Sequence, residues 1–295
     1  MAANILIAVA KFVVAGITGS SAMVSEGIHS LVDTGNSVLL VVGERASEKP
    51  ADRLHPFGHG KELYFWTLIV AILIFGIGGG MSVFEGVLHV IHPLATVDPK
   101  WNYLVLGIAA LFEGASLVFA GRMFFARRRT RSIWNEFRRS KDPTIFYVLF
   151  EESAALIGLV IAFLGLFLSQ VLSNVYLDGV SSILIGVLLA VVAIFLARES
   201  KGLLVGESAD PERLEEILRI AAADPAIERV DRPMTMYFGP DTVLLNMNVQ
   251  FQGQLNADEV VHAVDRVEKA IRDRYPEIKY IFLEADSLTS AAKVA

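Results

Sequence analysis

The sequence predicts a mainly α-helical membrane protein, with six transmembrane helices followed by a water-facing α+β tail in the order αββαβ. Three observations lead there. Hydrophobic residues make up 54% of the 295 and charged residues only 20%, against about 25% charge in an ordinary soluble domain. Apolar residues concentrate before Leu204, in runs close to the roughly 20 residues that a bilayer core demands. Charge concentrates after it: from Gly202 onward there are 10 Lys and Arg against 17 Asp and Glu, while the first 201 residues hold 16 against 15. The predicted boundary therefore separates a membrane segment, 1–201, from an acidic tail, 202–295. That tail has no basic face to neutralise phosphates, which excludes a nucleic-acid partner. With no cysteine, disulfides and thiolate chemistry are excluded, so any metal must be held by His, Asp and Glu.

The six runs lie near Asn4 to Ser20, Met23 to Gly43, Glu62 to His92, Tyr103 to Ala126, Thr144 to Leu172 and Val175 to Ala197. The first lacks a basic n-region and is followed by another span after a short Gly/Ser turn, so it reads as a retained helix rather than a signal peptide. Basic residues near helix ends resist translocation and set the orientation. Arg45, Lys49, Arg53 and Lys61 follow the second span, Arg127, Arg128, Arg129, Arg131, Arg138, Arg139 and Lys141 follow the fourth, and Arg198 and Lys201 follow the sixth. The remaining connections carry only Lys100. Both termini and the tail are expected on the cytoplasmic side of a multi-pass protein, in a bacterial inner membrane.

Periodicity places a tail helix over Asp210 to Ala223, with Ser208 or Asp210 as its cap. Alternating runs near Val230 to Phe238 and Thr242 to Phe251 meet at the turn Gly239-Pro240-Asp241. A second amphipathic helix opens at Asn256 or Asp258 and runs to about Tyr275, and a last strand covers Lys279 to Glu284. This order suits a small sheet with helices on one face.

Ionisable groups at bilayer depth cost about 2.5–3.5 kcal/mol each on insertion scales, so they line a pathway or pair with one another. Span two carries Glu26, His29, Asp33 and Asn36 at spacings of three, four and three, all on one helix face. An imidazole and a carboxylate four residues apart make half of a divalent-metal site, or a polar pair that locks two helices together. Span five adds Glu151 and Glu152, which point about 100° apart. The small residues Ala155, Gly158 and Ala162 continue the Glu151 stripe and favour it as the inward group, with Glu152 as the alternative. Asp178 opens span six as an interface residue or a helix cap, and Glu113 pairs with Lys11 if their helices touch. Glu85, His89 and His92 share a face near the end of span three, where a solvated helix end before Pro93 explains them more simply than metal binding.

The connection after span two reads Ala51-Asp52-Arg53-Leu54-His55-Pro56-Phe57-Gly58-His59-Gly60-Lys61. Asp52, His55 and His59 match three donors of a zinc-type site, with water or a carboxylate as the fourth, or else His59, Gly60 and Lys61 simply shape the entry into span three. Pro56 and the glycines require that a turn, not a helix, bring them together.

His29-x-x-x-Asp33, the heptapeptide His55 to Lys61, the six spans and the αββαβ tail together resemble the cation diffusion facilitator family. The heptapeptide is the specific part of the match. The resemblance implies a homodimeric transporter that exchanges Zn²⁺, or Mn²⁺, Fe²⁺ or Co²⁺, for protons, with a ferredoxin-like (metallochaperone-like) dimerisation tail. It implies span-two ligands at His29 and Asp33, a loop site at Asp52, His55 and His59, and a span-five ligand at Glu151 or Glu152. Two departures stand out. Where the family usually places a second ligand four residues before the span-five acid, this chain has Tyr147 or Val148. The tail has one histidine, His262, read as a surface residue, so the family's binuclear tail site is expected to be missing, although Glu284 and Asp286 remain near that end.

The expected activity is proton-coupled export of a divalent cation by alternating access, because the ligands must be deprotonated to bind metal and His29 titrates nearest neutrality. The partners are the ion, protons and the lipid bilayer. An intramembrane metalloenzyme would need a motif such as His-Glu-x-x-His, which is absent. A non-transporting sensor or scaffold is the other alternative, suggested by the missing span-five ligand.

Overall fold

The computed structural model of the chain describes residues 2–93, 99–127 and 143–285. These form two compact units: residues 2–45, 62–127 and 143–201 in one, and residues 46–61 and 202–285 in the other. The basic cluster from Arg128 to Lys141, and Asp286, lie outside the described residues.

The helices are α1 (Ala2–Thr18), α2 (Ser21–Ser47), α3 (Lys61–Leu73), α4 (Met81–Ile91), α5 (Lys100–Arg127), α6 (Pro143–Val171) and α7 (Tyr176–Val205). A π-helical stretch, Ile74–Gly80, joins α3 to α4 in one continuous rod, Lys61–Ile91. Gly19 ends α1 in a left-handed conformation, φ 73°, and its N–H closes on Ala15 O at 2.8 Å, which frees the chain to turn at once into α2. Among the described residues, four helices are long and apolar enough to cross a membrane: Lys61–Ile91, Lys100–Ala126, Tyr147–Val171 and Tyr176–Val205. The first helix is apolar but has only 17 residues, and α2, with 27, carries the polar face on which Glu26, His29, Asp33 and Asn36 sit.

The first unit turns apolar side chains outward, as a hydrocarbon solvent allows. Leu6, Leu111, Phe119, Val160 and Val191 are all more than half exposed. Water would penalise such a surface. Its interior combines small residues with charge. Gly79 and Gly86, seven residues apart, meet Gly186 and Gly179 of α7 backbone to backbone. A Cβ on Gly86 would stand 2.6 Å from Gly179 O, and one on Gly186 would stand 2.7 Å from Gly79 O. At Gly86 and Gly186 nothing larger than hydrogen fits without a shift, and at Gly79 and Gly179 a Cβ would be tightly crowded, the arrangement by which small residues let membrane helices approach.

The tail contains α8 (Pro211–Ala222), β1 (Ile227–Val230), β2 (Met234–Gly239), β3 (Thr242–Phe251), α9 (Ala257–Arg274) and β4 (Ile278–Ala285). Both β1 and β2 run antiparallel along one edge of β3, and β4 runs parallel along the other. The single edge strand expected over Val230 to Phe238 is thus two strands, broken at Asp231-Arg232-Pro233, because proline has no N–H to give the ladder. Asp231 N donates to Asn248 O at 3.0 Å and carries the register across the break. Alternate residues of β3, Val243, Leu245, Met247 and Val249, are buried against Ile217 and Ala221 of α8 and Val267 and Ile271 of α9. Asp210 caps α8 by accepting from Glu212 N at 3.1 Å, with Pro211 opening the helix. Asn256 and Glu259 form a reciprocal capping box on α9.

The glycine crossing predicts that Gly86→Ala destabilises the detergent-solubilised protein by about 1–3 kcal/mol through overpacking. Gly107→Ala, where an added Cβ meets nothing within 4 Å, is neutral or slightly stabilising. Thermal unfolding of the two variants side by side checks the contrast.

Candidate functional site

The polar face of α2 is built into the interior of its unit. Glu26, His29 and Asn36 are buried and Asp33 is half-buried. The Lys11 ammonium, fully buried on α1, donates to Glu26 Oε2 at 2.9 Å, to Ser30 Oγ at 2.8 Å and to Glu113 Oε1 of α5 at 3.2 Å. The Lys11–Glu113 pair expected if α1 and α5 touch is therefore present, and Glu26 joins it. Asn4 Nδ2 reaches Asp33 Oδ2 at 3.1 Å, a contact whose only sequence signal is a polar residue in an apolar helix.

On α6, Glu151 is buried and Glu152 is half-buried. Glu151 Oε1 accepts from Asn36 Nδ2 and from the Tyr147 hydroxyl, each at 3.0 Å, and Asp33 lies within hydrogen-bonding reach. Tyr147, one turn before Glu151, thus steadies that carboxylate. The stripe of small residues behaves as its composition suggests: Ala155 and Ala162 are buried, and the Gly158 position lies so close to Glu26 Oε1 that a Cβ would be 2.8 Å from it. Glu152 turns the other way, accepting from Ser116 Oγ. It lines a cavity of about 40 Å³ together with Asp33, Glu113, Ser30, Ser116 and Asn4. At about 10–15 Å³ per water centre, this holds a few waters. Asp33 therefore stands between an enclosed carboxylate, Glu151, and a hydratable one, Glu152.

Asp52, His55 and His59 assemble in the second unit. Their donor atoms all lie within 4.8 Å of one another, which among the described residues marks the one group of three His, Asp or Glu side chains gathered closely enough for an ion. The expected turn is real: Asp52 N donates to His55 O at 3.1 Å, and Gly58, at φ 85°, donates to the same oxygen at 2.9 Å. Asp52 accepts from His55 N at 2.6 Å and Leu54 N at 2.8 Å, and lies 3.1 Å from His59 Nε2 and 3.3 Å from His55 Nδ1. Phe57 stacks on Phe238 of β2 at 4.7 Å and meets the edge of Tyr280 of β4 at 5.1 Å, and Lys61 Nζ donates to Leu204 O at 3.3 Å. The loop is thereby fastened to the tail sheet.

The remaining candidates separate. Asp178 is an interface residue that caps another helix: it accepts from Ser20 Oγ at 2.9 Å and from Ser21 N, at the start of α2, at 2.6 Å. His89 is buried, contrary to the solvated helix end expected there, because the glycine crossing draws α4 onto α7; His92 is exposed and Glu85 half-buried. His262 and Glu284 are exposed on the tail.

The hydrogen bond from His55 N, then that to His59, then that from Leu54 N pull the Asp52 carboxyl from an ordinary value near 3.8 down to about 2. A depressed carboxyl pKa favours the folded turn above about pH 4, and that contribution disappears as pH falls from about 4 through about 2. Asp52 therefore stays ionised, and able to act as a ligand, across the range from pH 7 to about 4. If this turn takes up Zn²⁺, as its three donors allow, His59→Ala and Asp52→Ala each remove one equivalent from the purified chain, counted by elemental analysis, whereas equal zinc content in all three proteins shows that it does not.

A family model described as the cation efflux transmembrane domain matches residues 1–205. The chain is 29% identical over 313 residues to the mitochondrial proton-coupled zinc antiporter SLC30A9 of Mus musculus, a match covering 93% of this chain and 55% of that protein. It is also 29% identical over 328 residues to metal tolerance protein C4 of Arabidopsis thaliana, covering 97% and 72%. To the manganese efflux system protein MneP of Bacillus subtilis it is 22% identical over 290 residues, covering 96% and 92%. The chain spans about half the length of the SLC30A9 antiporters it matches. With polar α2 and α6 faces meeting inside apolar helices, and a family match over more than half its length, the chain belongs to the cation diffusion facilitator family of multi-pass membrane cation-efflux proteins.

Proposed function

We propose that the chain exports divalent cations, Zn²⁺ foremost, in exchange for protons, by alternating exposure of one intramembrane site. The observation that carries this reading is the meeting of Asp33, on the His29 face of α2, with Glu151 of α6 inside a cation-efflux domain. His29, Asp33 and Glu151 are the ligands. Asn36 is the fourth donor: its amide nitrogen is committed to Glu151, and its buried Oδ1 has no hydrogen-bond partner among the described residues. Glu152 acts from the hydratable cavity, where an ion exchanges its water shell. The relatives named for zinc antiport and manganese efflux support a borderline N/O donor set that also accepts Mn²⁺, Fe²⁺ or Co²⁺.

Proton coupling follows from competition for one set of atoms. Metal binds the neutral imidazole and ionised carboxylates, and protonation of the same donors on the opposite side releases it. We read six spans. A helix of 27 residues is about 40 Å long and one of 17 about 26 Å. Two carboxylates that lower the hydropathy of α2, Glu26 and Asp33, are met by Lys11 and Asn4 of α1 rather than turned to lipid. Residues 1–201 are the transport domain, and 202–295 a cytoplasmic domain that pairs two copies. Both termini lie on the loading side of an energised membrane such as a bacterial inner membrane.

Reconstitution into proteoliposomes tests the function. With an acidic lumen and Zn²⁺ outside, the native chain accumulates metal, and abolishing the pH gradient stops it. His29→Ala, Asp33→Ala and Glu151→Gln are each expected to lower uptake at least ten-fold, and Glu152→Gln less. Lowering the outside pH from 7.5 to about 6 is expected to slow uptake, because it shrinks the gradient that drives the exchange and raises proton competition for the donor set. Unchanged flux in the His29 and Asp33 variants would leave a scaffold or sensor as the reading.

A further inference from the structure

A second buried polar cluster, unused by the site above, lies where the start of α2, the end of α4 and the start of α7 converge. His89 is 5% exposed and Asp178 is 1% exposed, and His89 Nε2 stands 3.7 Å from Asp178 Oδ2. That separation is too long for a hydrogen bond, and a charge-assisted pair free to close would settle at about 2.7–2.9 Å. Among the described residues, His89 Nε2, Ser21 Oγ and Ser82 Oγ are buried without hydrogen-bond partners. Orphaned groups of this kind call for an explanation, because a buried polar atom left unmet costs about 1–3 kcal/mol.

The spacing has a simple chemical meaning. Zinc holds imidazole nitrogen and carboxylate oxygen at about 2.0–2.2 Å, so two donors on one tetrahedral ion stand about 3.4 Å apart. The pair is held near that distance by its surroundings. Gly86, one turn before His89, and Gly179, next to Asp178, touch backbone to backbone. Asp178 is also anchored to the start of α2, with Oδ1 accepting from Ser20 Oγ and Oδ2, the atom that faces His89, accepting from Ser21 N. Residue 21, whose N–H meets that carboxylate, also carries a buried hydroxyl without a hydrogen-bond partner among the described residues.

We propose that His89 Nε2 and Asp178 Oδ2 are protein ligands of a second divalent-cation site, with the Ser21 hydroxyl as a third donor and water completing the shell. One imidazole, one carboxylate and hydroxyl oxygens suit Zn²⁺, Co²⁺ or Mn²⁺ better than Ca²⁺, which takes an all-oxygen shell. Its role, a staging point for the exported ion, rests on the transport reading. Its existence does not.

The test uses the purified full chain in detergent and Co²⁺ as a spectroscopic probe. The parent carries His29→Ala, Asp33→Ala, His55→Ala and His59→Ala, which silence the other two sites. This parent is expected to bind Co²⁺ with visible ligand-field absorption. Adding His89→Gln is expected to remove one equivalent or weaken it at least ten-fold. Ser21→Ala, which keeps the backbone N–H that Asp178 uses, weakens it several-fold. Thermal melting matched to the parent shows that both variants fold, and Ser21→Ala alone decides the question if His89→Gln does not. Equal Co²⁺ binding by parent and variants, or none by the parent, overturns the proposal. Because Co²⁺ is counted without a membrane or a gradient, a failure of transport in proteoliposomes would sink the transport reading separately.

Discussion

A charge inside a bilayer must be met by the protein itself, and the Lys11 ammonium with its two carboxylates is where this chain meets that demand. Taking an ion out of water costs several kcal/mol even after relaxation, and only close opposite charge and hydrogen bonds repay it. Lys11 draws Glu26 and Ser30 of α2 and Glu113 of α5 onto one nitrogen. Three helices are thereby set relative to one another, α2 with its His29–Asp33 face turned inward. Asp33 then adjoins Glu151, and Glu151 is held by Tyr147 and Asn36. The interaction that makes a polar helix tolerable is also the one that aims its donors.

A different device operates where α4 meets α7. There the helices approach through small residues, Gly79 and Gly86 against Gly186 and Gly179, and polar groups follow the backbone into contact. Ser25 and Ser182 hydrogen-bond across helices, and Ser182 also donates to Ser82 O at 2.9 Å. Backbone proximity supplies neighbours in place of ion pairing. His89 and Asp178 are the two members of this cluster with metal-binding chemistry, and among the described residues neither is paired with a lysine or arginine.

The Asp52–His55–His59 turn answers to a third constraint. It is held by backbone geometry on one side and by Phe57 on the β2 and β4 surface on the other. Gly60 permits that contact, since a Cβ there would lie 2.2 Å from Phe238 O. Aromatic anchoring gives the exposed donors a rigid base without burying them, so His55 and Asp52 stay about half exposed.

Much of this was legible in the amino-acid order because it depends on neighbours three or four residues away. The helix and strand periods, the caps at Asp210 and Asn256, the shared face of Glu26, His29, Asp33 and Asn36, and the heptapeptide turn are local features, set by rotation per residue and by donors within a single turn. Pro233 marks the break in the sequence too, but the runs on both sides alternate alike and read as one strand. What the tertiary structure alone decided depends on the rotation and depth of one helix against another, which no local period encodes. It turned Glu151 inward and Glu152 toward the cavity, joined Lys11 to carboxylates 15 and 102 positions away, and buried His89 beside Asp178. Those partners were selected by the cost of leaving a charge or a polar atom unmet in an apolar interior, a quantity that belongs to the assembled bundle and to no single segment of it.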